Sequence, residues 1–169
     1  MSPSTTAAEI DFWRMQSRMT RDVVAANLHG LTHEDSLARP EPGGNRLNWV
    51  FGHLLWAYNN LLPMLGQQPV LDPRVLERYA RGQRPLEDPA DALDFQQLLQ
   101  AWGEAVGRVD EGLGQVDPET LDRPVPKSPS GNPDETVRTL LTTLMFHQAY
   151  HAGQTAVLRR IAGKEGAIR

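Results

Sequence analysis

The chain has 169 residues, of which 40% are hydrophobic and 22% are charged. These proportions are typical of a globular protein of one ordinary domain rather than of a disordered chain. The net charge is −4 and the 17 basic residues form no dense cluster, which argues against nucleic-acid binding. Because the chain contains no cysteine, disulfides, cysteine nucleophiles and cysteine-bound zinc are excluded.

The N-terminal stretch MSPSTTAAEIDFW lacks the basic and apolar segments of a signal peptide. Polar residues interrupt every apolar run well before the about 18 residues that a membrane-spanning helix needs. We therefore expect a cytoplasmic protein that does not bind membranes. No internal repeat or low-complexity tract divides the chain, so residues 1–169 are expected to form a single domain.

A first helix is predicted from about Thr6 to Leu28. Thr6 and Glu9 have the spacing of a capping box, and Gly30 provides a stop signal. Apolar residues recur at spacings of three and four, as expected for one buried helix face. The predicted face consists of Phe12, Met15 or Gln16, Met19, Val23 and Ala26.

A second helix is predicted to begin at Asn45, a suitable N-cap, and to end near Pro63 and Gly66. Its buried face consists of Val50, His53, Ala57, Leu61 and Met64. The proline-rich segment that follows, residues 67–90, contains a short helical pattern around residues 74–80. The segment is long for a tight turn, so we expect the second and third helices to run in the same direction.

The third helix is predicted to start at Asp88 as N-cap, with Pro89 in its first position. Its buried face consists of Ala92, Phe95, Leu99, Trp102, Val106, Val109 and Leu113. After a second proline-rich connection, Asn132, Pro133 and Glu135 predict the start of the fourth helix. No alternating strand pattern occurs, so the expected fold class is all-α, a four-helix bundle.

The buried face of the fourth helix contains two histidines within the stretch FHQAYHAGQ. Its members are Val137, Leu140, Leu144, His147, His151, Thr155, Leu158 and Ile161. Residues four apart on a helix project from the same side, and His53 occupies an equivalent position on the second helix. Three imidazoles from two helices can bind one divalent ion and leave coordination positions open.

Other interpretations of the histidines remain open at this point. Each could be a core histidine that donates to a backbone carbonyl, although three buried rings would be costly to desolvate without partners. His29 and His33 lie at the end of the first helix and in its loop, and we exclude them from the site. No Glu-x-x-His sequence occurs, which disfavours a ferritin-like di-iron centre.

Residues 45–62, NRLNWVFGHLLWAYNNLL, and residues 135–164, ETVRTLLTTLMFHQAYHAGQTAVLRRIAGK, resemble the DinB-like (YfiT-like) superfamily of metalloenzymes. The resemblance depends on Gly-His-Leu in the second helix and His-x-x-x-His-x-Gly-Gln in the last. It implies an up-down-down-up bundle, a homodimer, and a divalent ion bound by His53, His147 and His151. The ion would be zinc, nickel or iron, and neither the residues nor the resemblance decides between them.

Three functions follow from such a site. The resemblance favours a transferase that uses a low-molecular-weight thiol as cosubstrate, with the metal activating the thiol. The alternatives are a metal-dependent hydrolase, in which a metal-bound water attacks the substrate, and a non-catalytic metal-binding or stress-related bundle. In the thiol-dependent isomerase branch the first residue of the final pair can be glutamate. His147 departs from that pattern, so isomerase activity is not implied.

The catalytic acid or base is not identifiable from the sequence. Gln154, Asn60 and Tyr150 are the polar residues expected to support the ligands or line the site, and Tyr58 is a weaker candidate. Trp49 and Trp56, one turn on either side of His53, are expected to be core or pocket wall. Phe12, Trp13 and the apolar flanks of the first and third helices exceed what one bundle face requires, which favours a homodimer. The expected partner is a small-molecule substrate.

Overall fold

The computed structural model describes residues 3–125, 128 and 131–168, with side chains described from Thr6 onward. Within these residues the protein is helical, and its only extended pairing is an isolated bridge between Pro124 and Thr136. The α-helices are α1 (Pro3–Leu28), α2 (His33–Ser36), α3 (Leu47–Leu61), α4 (Pro73–Leu76), α5 (Phe95–Gln115), α6 (Pro118–Asp122) and α7 (Val137–Ile161), and short 3₁₀ turns cover Leu62–Leu65, Glu77–Tyr79 and Pro89–Asp91. None of the described helices is sufficiently long and apolar to cross a lipid bilayer.

The four long helices, α1, α3, α5 and α7, share one hydrophobic core. Helix α1 packs against α7 and α5, and α3 packs against α5 and α7. At the centre the ring of Phe51 meets those of Phe95 and Trp102 edge-on, with centroids 5.9 and 5.6 Å apart. Burial of this apolar surface is the main driving force for the fold.

Two predicted helix starts differ from the structure in the first half of the chain. Helix α1 already begins at Pro3, and Thr6 is buried within it, so Thr6 does not cap the helix. The N-cap of α3 is Arg46 rather than Asn45. The guanidinium of Arg46 instead donates to the carbonyl oxygens of Leu37 and Leu86, which secures the loop in front of the helix.

The starts of the last two long helices were also predicted too early. Asp88 caps only the 3₁₀ turn Pro89–Asp91, and Asp94 caps α5 by accepting from two backbone amides. Thr136 caps α7 in a box with Thr139, so the prediction based on Asn132 and Glu135 was wrong. Several short polar residues precede each helix, and local sequence does not determine which of them provides the cap. Residues 126, 127, 129 and 130 of the preceding connection lie outside the described residues.

The predicted buried face of α1 was wrong for its large residues, although Val23 is partly buried against the core, whereas the predicted faces of the other long helices were largely confirmed. Phe12, Met15 and Met19 are 55%, 56% and 65% exposed. The buried positions carry Trp13, Ser17, Arg21, Val24, Asn27 and Leu28. The apolar periodicity of α1 indicated the wrong side because this helix turns polar side chains toward its neighbours. On α7, Ile161 is exposed although it was predicted to face the core.

A buried polar network explains the composition of α1. Ser17 Oγ lies 3.0 Å from the hydroxyl of Tyr58 and donates to Gln148 Oε1 at 3.3 Å, while the Tyr58 hydroxyl donates to the same oxygen at 2.8 Å. Burial raises the pKa of Tyr58 to about 12, so this residue remains a neutral donor. The network joins α1, α3 and α7 and fixes how these helices align, because an unpaired buried hydroxyl would be costly.

Candidate metal centre

Three histidines on two helices converge on one point. His53 projects from α3, and His147 and His151 project from successive turns of α7. One ring nitrogen from each lies within 4.8 Å of the other two. Nε2 of His53 is 2.9 Å from Nε2 of His147. Two nitrogens bound to one tetrahedral zinc would be roughly 3.3 Å apart, because each Zn–N distance is about 2.0–2.1 Å. The His53 and His147 nitrogens therefore already have nearly the spacing of two ligands of one ion, and a nitrogen of His151 lies within 4.8 Å of both.

His53 is oriented by contacts on both of its sides. Its Nδ1 lies 2.6 Å from the carbonyl oxygen of Tyr79 and donates to it, which leaves the lone pair on Nε2. The rings of Trp49 and Trp56 stack on its two faces, with centroids 5.0 and 5.4 Å away. This combination of a backbone acceptor and two stacked rings directs Nε2 of His53 toward His147, as the outer contacts of metal-bound histidines commonly do.

Tyr79 is itself held firmly in place. Its hydroxyl donates to Asn48 Oδ1 and accepts from the amide of Leu93, both at 2.8 Å. Its ring packs on the backbone of Gly52, where a Cβ atom would lie only 2.4 Å from the nearest ring carbon. Glycine directly before His53 is therefore required for close approach of the segment that orients the histidine.

His151 has a side-chain partner on its own helix. Its Nδ1 lies 2.6 Å from Gln154 Oε1 and donates to it, so Nε2 is again the nitrogen that can bind an ion. The edge of the Tyr150 ring also packs against His151, with a centroid separation of 5.1 Å. Gln154 therefore contacts the ring of His151, and Tyr150 lies directly beside that ring.

All three imidazoles are favoured in the neutral form. Burial lowers the pKa of His147 to about 3, helped by the charges of neighbouring groups, and lowers the pKa of His151 to about 4. Burial also lowers the pKa of His53, although the Tyr79 carbonyl opposes that shift. Only a neutral imidazole has a free lone pair for a metal, so the site is chemically suited to a cation at ordinary pH.

A cavity of about 690 Å³ borders the histidines, a volume suited to a small organic molecule. Its walls are mainly apolar, with polar residues at a few positions. The lining residues besides the three histidines are Trp56, Ala57, Asn60, Leu61, Met64, Arg81, Leu140, Thr143, Leu144 and Tyr150. None of these described lining residues is a carboxylate or another common metal ligand. An ion bound by the three histidines would therefore keep coordination positions that face the cavity.

The other sequence-predicted polar residues lie in different places. Asn60 lines the cavity, whereas Tyr58 belongs to the buried network. His29 is exposed, and His33 Nδ1 accepts from the amide of Phe95 at 3.2 Å, so neither belongs to the group. Sequence analysis missed Tyr79 and Arg81. Gly52 hinted at a close neighbour of α3, but nothing local in the sequence identified that neighbour.

Comparison with known proteins agrees with this architecture. A conserved protein from Enterococcus faecalis, whose crystal structure is known, is 20% identical and superposes with a TM-score of 0.59. The match covers 97% of this chain and 99% of the other, which establishes similarity of fold alone. No curated protein matches the sequence significantly. The sequence profile of the DinB superfamily matches residues 16–155, a range that contains all three histidines. The chain belongs to the DinB superfamily.

Proposed function

We propose that the protein binds one divalent metal ion through His53, His147 and His151 and is a metal-dependent enzyme. The observation that carries this proposal is the convergence of three neutral imidazoles at the wall of an open cavity, two of them oriented by hydrogen bonds to groups outside the histidine cluster. The donor set suits zinc, nickel or iron. Three protein ligands with open positions are typical of catalytic rather than structural sites.

The reaction we favour is transfer of a low-molecular-weight thiol to an electrophilic small molecule. A bound ion would supply Lewis acidity that lowers the pKa of the thiol. The protein's own contribution is to hold the two reactants together and exclude water with the apolar walls of the cavity. Asn60, Thr143 and Tyr150 offer hydrogen-bonding groups at those walls.

A metal-dependent hydrolase is the second candidate. Such an enzyme usually needs a general base near the open coordination position, and carboxylates commonly serve that role. The described lining of the cavity contains none, and its histidines are assigned to the ion. This observation favours the thiol reaction. A non-catalytic metal-binding bundle is the third candidate, and the adjoining cavity argues against it because a structural ion is normally enclosed by four ligands.

The proposal is tested on protein purified without an affinity tag. Elemental analysis is expected to give about one zinc, nickel or iron per chain. The metal-loaded protein is then incubated with bacillithiol-like and mycothiol-like thiols and a panel of electrophiles, with metal-stripped protein as control. Absence of a stoichiometric ion would overturn metal binding. Hydrolysis without any thiol would favour the second candidate, and binding of the ion without turnover the third.

We further propose that the four long helices form an up-down-down-up bundle and that residues 1–169 form one domain. Two contacts, one toward each end, support a parallel arrangement of α1 and α7. Arg138 near the start of α7 pairs with Glu9 near the start of α1. Toward the other ends of the same helices, Asn27 Nδ2 donates to Thr155 Oγ1 at 3.0 Å.

Ring contacts support a parallel arrangement of α3 and α5. Phe51 meets Phe95 near the start of both helices, and Tyr58 meets Trp102 about two turns later on each helix, with centroids 4.7 Å apart. The long connection between them, which includes α4, allows the chain to return to the end at which α3 began.

We also propose that the protein is a cytoplasmic homodimer. Contrary to the prediction, Trp13 is buried and, among the described residues, the large exposed apolar side chains are not on α5. They occur mainly on α1 and α7, as Phe12, Met15, Met19, Phe146, Tyr150, Val157 and Ile161. Such an apolar surface on adjacent helices favours contact with a second copy.

A further inference from the structure

Trp49 contacts the surroundings of the candidate metal centre in two ways. Its ring stacks on the ring of His53, with centroids 5.0 Å apart and an interplanar angle of 9°. Its indole Nε1 donates to the backbone carbonyl oxygen of Arg78 at 3.2 Å. Trp49 is only 6% exposed, and a buried indole N–H without an acceptor would be costly. The hydrogen bond and the stacking therefore fix the indole at both its edge and its face.

Trp49 and His53 bind consecutive carbonyl groups of one short turn. They lie four residues apart on α3 and project from the same side of that helix. His53 Nδ1 donates to the carbonyl oxygen of Tyr79 at 2.6 Å, and the carbonyl that Trp49 binds is the one directly before it. The last carbonyls of a helical turn have no partner within that turn, so donors from outside can bind them. The 3₁₀ turn Glu77–Tyr79 is thus attached to α3 at two adjacent points.

The hydrogen bond to Tyr79 decides which tautomer His53 adopts. A neutral imidazole carries its proton on either nitrogen, and only the tautomer with the proton on Nδ1 leaves the lone pair of Nε2 free. The lone pair is needed on Nε2, because this atom lies 2.9 Å from Nε2 of His147. Movement of the Tyr79 carbonyl away from α3 would break the 2.6 Å contact and release the ring to the other tautomer. The position of the turn therefore controls the metal-binding form of His53.

Trp56 also stacks on the His53 ring but does not attach the turn. The two ring centroids are 5.4 Å apart, and the interplanar angle is 14°. Trp56 is half-buried in the cavity wall, and its indole N–H makes no hydrogen bond to the residues that the structure describes. Trp56 therefore provides stacking alone, whereas Trp49 provides stacking together with a hydrogen bond to the turn.

We propose that Trp49 is a positioning residue for the metal ligand His53 and acts through the backbone of residues 78 and 79. Its indole N–H fixes the turn, the turn fixes the Tyr79 carbonyl, and this carbonyl keeps the proton of His53 on Nδ1. The inference rests on the proposed function, because it concerns how a metal-binding histidine is prepared before an ion arrives.

The experiment compares Trp49→Phe with Trp56→Phe. Each variant keeps an aromatic ring beside His53 and loses one indole N–H. NMR of the metal-free, full-length protein at neutral pH, with isotope-labelled histidine nitrogens, shows which nitrogen of His53 carries the proton, and His53→Gln identifies its signals. We expect the Nδ1–H tautomer in the wild type and in Trp56→Phe. In Trp49→Phe the Nε2–H tautomer should become populated.

Zinc affinity gives a second measurement on the same variants, by competition with a chelator. We expect it to fall about tenfold in Trp49→Phe and to stay within about twofold of the wild type in Trp56→Phe, because loss of a contact that orients a ligand weakens metal binding. A merely structural role of Trp49 would lower the free energy of unfolding but leave the tautomer of His53 unchanged. Urea denaturation of both variants measures that free energy.

The outcomes separate this inference from the proposed function. An unchanged tautomer in Trp49→Phe would overturn the inference whatever the stability of the variant. An equal change in Trp56→Phe would also overturn it, because stacking and not the attached turn would then orient the ring. Absence of zinc binding by the wild type would overturn the proposed function, while the tautomer measurement still decides the role of Trp49. If Trp49→Phe does not fold, benzothienylalanine at this position, with sulfur in place of the indole N–H, gives the same test at nearly constant shape.

Discussion

The Nδ1 atom of His53 lies 2.6 Å from the carbonyl oxygen of Tyr79, 26 positions further along the chain. This contact determines which nitrogen of His53 faces the other two histidines. It ties the geometry of the candidate metal centre to a short helical segment outside the four long helices. The centre therefore depends on two histidine-bearing helices and on the short helical segment that contains Tyr79.

Replacement of one ligand should abolish stoichiometric metal binding. His147→Ala removes the ring whose Nε2 is 2.9 Å from that of His53, and two imidazoles hold a divalent ion weakly. Added zinc should raise the melting temperature of the wild-type protein but not that of the variant. His29→Ala, an exposed histidine outside the group, is the control and should behave as wild type. Equal metal content in both variants would contradict the assignment.

Removal of the Gln154 side chain should weaken metal binding without abolishing it. Gln154 Oε1 orients the ring of His151 from 2.6 Å, and loss of such partners typically costs about 10–100-fold in affinity. Competition with a chelator of known affinity measures the change in Gln154→Ala. Gln100→Ala, an exposed glutamine on α5, should show no change. Unaltered affinity in Gln154→Ala would show that His151 is positioned by its surroundings alone.

A methyl group at Gly52 should disturb both stability and the metal site. Its Cβ would lie 2.4 Å from the Tyr79 ring, so the segment that orients His53 must move. Overpacking of this kind costs about 1–3 kcal/mol, and the metal affinity of Gly52→Ala should fall with the free energy of unfolding.

Gly103→Ala provides the matched control for Gly52→Ala. Gly103 is also helical, but a Cβ there meets nothing within 4 Å. Alanine is favoured over glycine in a helix interior by about 0.8–1.0 kcal/mol, so this variant should be more stable than wild type. Urea denaturation and zinc titration of both variants make the comparison. Normal zinc affinity in Gly52→Ala would show that the position of Tyr79 does not affect zinc binding.

The metal-free protein should lose stability as the pH falls below about 6.5. Burial holds the pKa of His147 at about 3 and that of His151 at about 4 in the folded state, below the ordinary value of 6.5. Between these limits the unfolded chain binds more protons than the folded chain, so acidification favours unfolding. We expect a loss on the order of 2 kcal/mol between pH 7.5 and pH 5, moderated by the partial exposure of the rings.

Urea denaturation of chelator-treated protein at several pH values measures this dependence. His147→Gln carries one fewer titrating ring and should show a shallower slope of unfolding free energy against pH. A slope identical to that of the wild type would mean that His147 is not the residue responsible.

The exposed apolar surface of α1 and α7 predicts that a charged substitution there converts the proposed dimer into a monomer. Phe146 is 72% exposed, so Phe146→Glu should fold normally yet place a charge in the proposed dimer contact. Sedimentation velocity at micromolar concentration should show a dimer for wild type and a monomer for this variant. Val75→Glu, on α4 and 37% exposed, should remain dimeric. A monomeric wild-type protein would refute the homodimer.

The accuracy of the sequence-based predictions differed between helices for a physical reason. On α5 the buried positions are apolar apart from Gly112, so periodicity identified the correct face. On α1 the buried face includes Ser17, Arg21 and Asn27, and each of these polar side chains is accepted in the interior because it has a hydrogen-bond or ion-pair partner on a neighbouring helix. Periodicity then selected the exposed residues Phe12, Met15 and Met19, because hydrophobicity alone does not distinguish a core from a surface that could contact a second copy.

The sequence by itself determined the helical class and the placement of His147 and His151 on one side of the last helix, since both depend on local spacing. Positions four apart share a side of a helix wherever the helix lies, and thus His147 and His151 were paired from the outset. Only the tertiary structure decided which atoms face one another. The Tyr79 carbonyl behind His53, Arg81 at the cavity wall and the polar interior of α1 arise from contacts between residues far apart in the chain. Such contacts form only when the helices pack, and no local pattern encodes them.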